Sequence, residues 1–393
     1  MTANAVVNPV PPQPPRRPQP TSGATAMVRL VRESWARIEA RHEEIAQFFY
    51  GMLFTLNPAT RDLFPINMQT QRGRLIRAIV HLVQMIDRPD ELLPYLRQLG
   101  RDHRKFGVIS SQYESVGTAL LAAIKRYSGS AWTPPVERAW AEAYTVMARA
   151  MLEAAAADEG PAFWPAQIVE HRRLGWDLAK VTVRTDYPIP FEPGQYLSIE
   201  VPQRPRLWRY LTPANAPRDD GTLEFHIRGV HGGWVSQAIV SHSHVGDVWR
   251  VGAPLGRLGI EKDSERDVLM VAGGTGIATM LSVLDDLGSW DRNPRVHLFY
   301  GGRVEDDLYA LDELHHMAGT NPWLTVVPVL ERDPGSRNAE HGTLADIVTK
   351  YGAWADRHVL VSGSPGMIRS TVSRMLVAGT PLDRITYDPF TID

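Results

Sequence analysis

Val268-Leu269-Met270-Val271-Ala272-Gly273-Gly274-Thr275-Gly276-Ile277 decides how the C-terminal third of this 393-residue chain folds. Five apolar residues without a polar break predict a strand buried on both faces, and the glycines open into an amphipathic segment through Leu287. Glycine at such a turn lets backbone N–H groups and a helix N-terminus approach a pyrophosphate. The spacing is shorter than the full G-x-G-x-x-G, and a plain tight turn fits it too. Val296–Tyr300, Trp323–Leu330 and His358–Val361 are further short apolar runs that alternate with helix-like segments, which predicts a parallel α/β sheet. Two more strand ends, Tyr300-Gly301-Gly302-Arg303 and Ser362-Gly363-Ser364-Pro365-Gly366-Met367, place glycine where a dinucleotide would cross the sheet edge.

Upstream the period changes. Leu197, Ile199 and Val201 alternate with Ser198 and Glu200, and Leu223, Phe225 and Ile227 alternate with Glu224, His226 and Arg228, predicting an antiparallel β-barrel after Gly160-Pro161. From Met27 to about Glu153 the apolar spacing is helical, as in Met27, Leu30, Val31, Trp35 and Ile38, and six or seven helices fit. Asn57-Pro58 reads as an N-cap followed by a first-turn proline, and Pro94 and Pro134-Pro135 punctuate later helices. Met1–Pro20, with Pro11-Pro12, Pro14-Pro15 and Arg16-Arg17, reads as a disordered leader, a weak docking tail at most. It lacks the apolar stretch of a secretory signal.

Composition narrows the chemistry. The chain is 44% hydrophobic with 42 basic against 44 acidic residues, net charge −2, so it has no global footprint for nucleic acid or an anionic membrane. No apolar run approaches the roughly 18–20 residues of a membrane span, and a cytoplasmic, monomeric protein is expected. With no cysteine, disulfides, thiolate chemistry and iron–sulfur clusters are absent.

Gly194-Gln195-Tyr196, Arg209-Tyr210-Leu211-Thr212, Gly233-Trp234-Val235-Ser236 and Gly273-Gly274-Thr275-Gly276 follow the order found in ferredoxin–NADP reductase-like proteins, which this part of the chain resembles. The resemblance implies an FAD site at Tyr196, Arg209, Tyr210, Leu211, Thr212, Gly233, Val235 and Ser236. It implies a nicotinamide nucleotide site at Gly273, Gly274, Thr275, Gly276, Arg303, Ser362 and Gly363, with Phe390 stacking on the flavin. Arg209 suits a phosphate because a guanidinium is always charged and bidentate. Leu211 stands where that family has a flavin-contacting Tyr; Tyr210 would replace it only through a register change that flips its face. Ser362 and Ser364 replace the Cys and first Pro of the nicotinamide element. Arg303 would meet a 2′-phosphate, so the donor is NADH or NADPH, with NADH the simpler fit.

Phe48-Phe49-Tyr50, Leu63-Phe64-Pro65, Gln71, His103, Tyr113 and Trp140-Ala141-Glu142-Ala143-Tyr144 resemble, in that order, the haem domain of flavohaemoglobins. The likeness of the two parts runs from about Thr25 to Phe390. It implies haem b with His103 as proximal iron ligand, a distal pair Tyr50 and Gln71, Leu75 narrowing access, Phe64 wedging the haem and Tyr113 orienting the imidazole. His81 then reads as a packing residue. The expected proximal Glu falls on Ala155, and the nearest acid, Glu153, points about 200° around the helix.

The expected architecture is multidomain: a Pro-rich leader (1–24), an all-α globin (25–157), an antiparallel FAD-binding β-barrel (158–262) and an α/β parallel-sheet NAD(P)-binding domain (263–393). The resemblance implies an NAD(P)H-dependent nitric oxide dioxygenase converting NO and O2 to nitrate. Two other readings fit the same residues: a divergent globin–reductase using another acceptor or donor, and a haem-based oxygen-binding or sensor protein whose reductase resets the iron.

Overall fold

Apolar residues at three- and four-residue spacing fold the N-terminal third into α1 (Ser22–Ile38), α2 (His42–Leu56), α3 (Gln69–Met85), α4 (Pro89–His103), α5 (Ser110–Ser128) and α6 (Pro134–Ala156). The computed structural model describes residues 22–262, 264, 266–332, 336 and 338–388. Its contacts divide the chain into one unit of residues up to 62, 66–100 and 109–154, and a second of 63–65, 101–108 and everything from 155. In the first, Ile45, Phe49, Tyr50 and Leu53 of α2 are buried, as are Ala119, Leu120, Ala123 and Ile124 of the α5 helix that it contacts. Trp140 on α6 packs 6.4 Å from Trp35 and its Nε1 donates to Ser34 Oγ at 2.8 Å, tying α6 to α1.

Three details differ from the expectations. Helix α1 begins at Ser22, inside the expected leader, while residues 1–21 and Phe390 lie outside the described residues. Pro94 does not end a helix; α4 runs through it, and its missing N–H leaves the Asp90 carbonyl without an intrahelical donor. Pro58 opens a six-residue 3-10 turn, Pro58–Leu63, rather than an α-helix.

In the second unit β1 (Trp164–Arg173), β2 (Leu178–Thr185), β3 (Tyr196–Glu200), β4 (Arg209–Leu211), β5 (Thr222–Arg228) and, after α7 (Trp234–His242), β6 (Val248–Leu255) form an antiparallel sheet. Its order is β4-β3-β6-β1-β2-β5, and a bridge between Pro213 and Phe225 nearly closes it into a barrel. Ile168, Val181, Val183, Leu197, Ile199, Leu223, Phe225 and Trp249 fill the interior.

Then come β7 (Val268–Gly273), α8 (Ile277–Leu287), β8 (Val296–Gly302), α9 (Leu311–Thr320), β9 (Leu324–Leu330), β10 (Glu340–His341), α10 (Leu344–Lys350), β11 (His358–Ser362), α11 (Pro365–Val377) and β12 (Ile385–Tyr387). The strands are all parallel, ordered β10-β9-β8-β7-β11-β12, so the quoted apolar run is an interior strand with apolar layers on both faces. Helix α11 starts with Ser364 Oγ accepting from the Met367 N–H and Pro365 in the first turn.

Gly100 on α4 meets α6 backbone to backbone: a Cβ there would sit 2.6 Å from Met151 Cα and closer still to its carbonyl oxygen. Backbone cannot rotate away as a side chain does. Gly100→Ala is therefore expected to cost about 2–3 kcal/mol, read as a lower midpoint in urea denaturation, whereas Gly51→Ala, with open space around it, should raise the midpoint slightly.

Candidate functional site

Tyr50 lies on the buried face of α2, 6% exposed, with its ring 4.9 Å from Phe49 and 5.9 Å from Phe54. Its hydroxyl donates to the backbone carbonyl of Gln71 at 3.3 Å, so the structure brings the expected distal pair together through main chain. Burial pushes the phenol well above its ordinary pKa. Leu75, Ile76, Val80 and Leu82 on α3 are apolar but only partly buried, an apolar face of the kind a flat macrocycle covers. Tyr113 on α5 packs with Leu92, Leu96 and Met151, and its carbonyl accepts from Tyr144 Oη at 2.5 Å. His81 packs edge-on against Tyr95 at 4.5 Å, as expected of a packing residue.

His103 is the last residue of α4, half-buried, with its ring 5.7 Å from Phe106. By their contacts His103 and Phe64 belong to the second unit. The α6 helix runs unbroken to Ala156, and Glu153 on it is 72% exposed, 4.0 Å from Arg149.

On the barrel, strand pairing sets Leu197 opposite Leu211 and Ser198 opposite Tyr210. Leu211 packs toward the barrel core, while the Tyr210 ring meets that of Tyr196 at 5.0 Å. Both Tyr210 and Leu211 line a cleft, as does Thr212. Tyr196 needs Gly256 beside it, since a Cβ there would lie 2.8 Å from its ring and Gly256 has φ +92°. Arg209 donates to the Trp208 carbonyl at 2.9 Å. Gly233 is the N-cap of α7, with Ser236 Oγ donating to its carbonyl at 3.1 Å. Val235 is 1% exposed in the barrel core, which leaves only its backbone to serve a ligand.

The opposite wall of the cleft is the C-terminal edge of the parallel sheet: Gly273, Gly274, Thr275, Gly276, Arg303, Ser362 and Gly363 all line it, and its volume is about 720 Å³. Two glycine turns touch here. A Cβ at Gly276 would lie 2.5 Å from the Ser362 carbonyl and 2.6 Å from Gly363 N. Ser362 Oγ is held at 3.1 Å by Thr279 on α8. Arg303 is exposed on the loop after β8, its N–H donating to Asp307 Oδ2 at 3.0 Å. A flat ring and a nucleotide diphosphate fit a cleft with an aromatic wall and a glycine-rich wall where backbone can approach closely.

One cleft residue was hidden in the sequence. His226 alternates away from the barrel interior, which reads as a solvent face, yet its side chain is fully buried. Its Nε2 lies 2.7 Å from Glu224 Oε1 and its Nδ1 3.0 Å from Tyr309 Oη. Burial lowers the imidazole pKa, so the ring is neutral near pH 7; Glu224 accepts from Nε2–H, and Nδ1 accepts from Tyr309. The His226 hydrogen bond, helped by Lys180, holds Glu224 down at about 2. Lys180 Nζ reaches Glu313 at 3.0 Å, and Arg228 bridges Asp177 and Asp307, each at 3.2 Å. These contacts join barrel strands to the loop and helix after β8. Alternation alone did not show that the nucleotide domain covers this face.

Three family models match the chain in succession: a globin over residues 47–151, an oxidoreductase FAD-binding domain over 165–260 and an oxidoreductase NAD-binding domain over 270–373. The chain is similar to the flavohemoprotein of Bacillus subtilis (strain 168), 25% identical over 385 residues that cover 92% of this chain and 96% of that protein. To the flavohemoprotein of Rhizobium meliloti (strain 1021) it is 27% identical over 406 residues, 94% and 98%. Among solved structures, the flavohemoglobin from Malassezia yamatoensis with bound FAD and heme shares the fold, with a TM-score of 0.76 at 18% identity over 93% of this chain and 98% of that one. No helix among the described residues is long and apolar enough to cross a membrane.

The Glu224–His226 pair fixes an acid response. His226, depressed by burial, contributes stability that is full above its unfolded pKa of 6.5 and falls below it; Glu224 contributes stability that is full above 4.5 and lost toward about 2. Both slopes have the same sign. With a third of Glu224 facing solvent, its share is about 1–2 kcal/mol. His226→Gln should flatten the fall in melting temperature between pH 6.5 and 4.5 relative to the parent; an unchanged slope would assign the acid response elsewhere.

Proposed function

We propose that this chain, a globin followed by FAD-binding and NAD-binding oxidoreductase domains and similar to flavohemoproteins over more than nine-tenths of its length, is an NAD(P)H-dependent nitric oxide dioxygenase. When bound, NAD(P)H supplies a hydride, FAD divides its two electrons into single ones, and the haem iron delivers them to dioxygen and nitric oxide to give nitrate. Everything else is the work of the chain's own residues.

The observation that carries the reading is the Tyr50 hydroxyl, a buried O–H in an aromatic setting, anchored on the Gln71 carbonyl. Raised well above its ordinary pKa, it keeps its proton, which rests on the Gln71 carbonyl here and would turn from it to donate to an oxygen atom acquiring negative charge. Gln71 positions it, while Leu75 would narrow access and Phe64 would wedge the haem. His103 offers its imidazole to the iron, with Tyr113 as its orienting partner. In the reductase, Tyr196, Tyr210, Leu211 and Thr212 form the flavin wall, and Arg209 with the Gly233–Ser236 turn and the backbone N–H groups of Val235 and Ser236 take the FAD phosphates. Gly273–Gly276, Arg303, Ser362 and Gly363 receive the nicotinamide nucleotide.

A second reading, an oxygen-binding protein with a resetting reductase, is favoured by one feature. Glu153 faces solvent and Ala155 has no carboxyl, so the position at which the resemblance implies a proximal Glu carries no acid to increase electron donation.

The test is to follow nitric oxide at an electrode with the haem- and FAD-loaded protein in aerated buffer after adding NADH or NADPH, measuring nitrate. Rapid, donor-dependent, carbon-monoxide-sensitive loss with one nitrate per nitric oxide is expected. Tyr50→Phe should slow it by about tenfold to a hundredfold with haem content unchanged. Loss no faster than the enzyme-free control, with both cofactors present and slow oxygen release, would replace this reading by the second.

A further inference from the structure

The short stretch 101–108 holds to the barrel through Arg104 and Lys105, two side chains to which the proposed function gives no role. Lys105 is 6% exposed, its ammonium 2.5 Å from Asp102 Oδ1. The same ammonium lies 5.1 Å from the ring centres of Phe106 and Trp208 and 5.5 Å from that of Tyr210. Phe106 in turn meets Trp208 edge to face at 6.0 Å. Beneath the lysine stem the barrel is hollowed at Gly252, where a Cβ would overlap Ser198 Oγ and come within 3.3 Å of Lys105 Cδ. Arg104 adds a second hold, 2.9 Å from Asp158 and 2.5 Å from the Gly160 carbonyl.

A buried lysine is costly unless its charge is answered. Here one carboxylate and three aromatic faces answer it, two of the faces being barrel residues beside β4 and on it. An ion pair of this kind does little for net stability, but an aromatic cage with a fixed carboxylate admits one position of the chain. His103 lies between Asp102 and Lys105, and Tyr210 is at the flavin wall, so the same few residues tie the two together.

We propose that Lys105, paired with Asp102, is a positioning residue for electron passage: it fastens the segment bearing His103 to the flavin barrel and so sets how fast the reductase feeds the haem. The proposal rests on the reading of His103 as haem ligand. For each NADH oxidised to NAD+ and a proton, two electrons pass, each reducing one ferric iron to ferrous. Lys105 touches neither reactant. Its loss affects the passage between the cofactors and leaves their loading and the flavin's reduction by NADH in place.

The experiment uses full-length protein loaded with haem and FAD. In Lys105→Met/Asp102→Asn, which removes both charges together, the Soret band and flavin content should match the parent. In anaerobic stopped flow, flavin bleaching by NADH should stay within about twofold while haem reduction, trapped with carbon monoxide, slows at least about tenfold. Amide exchange over 101–108 should quicken, and Lys105→Arg should recover part of the rate. Parental haem reduction in the double variant overturns the proposal. If that variant does not fold, Trp208→Leu, which keeps the ion pair and removes one ring, is held to the same criterion. Parental exchange over 101–108 overturns the anchoring by itself, whereas a parental Soret band in His103→Ala overturns the ligand reading from which the proposal starts.

Discussion

The cleft has two walls from two different folds, and its width depends on the hydrogen-bond chain Glu224–His226–Tyr309. The barrel supplies Glu224 and His226 on β5, and the nucleotide domain supplies Tyr309 ahead of α9. A buried neutral imidazole with both nitrogens engaged has one orientation, because turning the ring over would place a donor against a donor or leave a nitrogen unpaired at a cost of about 1–3 kcal/mol. Lys180 with Glu313 and Arg228 with Asp307 flank the chain with partly exposed ion pairs, weaker individually but aligned to the same join. Tyr210 and Gly274 face one cleft because this join holds.

Close backbone approach is the second constraint. Gly276 against Ser362 and Gly100 against Met151 are contacts with no room for a methyl group. The first brings two glycine-rich strand ends side by side on the cleft wall. The second lets α4 cross α6 closely. Neither glycine needs an unusual backbone angle; the demand is for space, and each neighbour is main chain.

Much of this was legible in the sequence. The change from helical spacing to alternation to unbroken apolar runs marked three kinds of fold in the observed order, and each glycine-rich strand end lies on the cleft wall. Local punctuation was less reliable: Pro94 sits inside α4, where tertiary packing overrides its lack of a donor. Alternation puts His226 on the face opposite Phe225 and Ile227, but one sequence has no means of stating that this face meets a second domain. Lys105 gave no signal either, since a lysine beside two arginines suggests a solvated face until Trp208 and Tyr210 are brought over it. Tyr50 and Gln71 were paired by resemblance, and the structure joins them through a carbonyl, a contact that side-chain identity does not encode.

Ser362 closes β11 with its hydroxyl resting on that of Thr279, at a position where resemblance alone would put a thiol. A thiolate at the mouth of a redox cleft is open to sulfenic acid formation, nitrosylation and glutathionylation. A hydroxyl is inert to all three, and the chain has no cysteine elsewhere to take them up. The hydroxyl pair therefore makes this cleft blind to cellular thiol signalling.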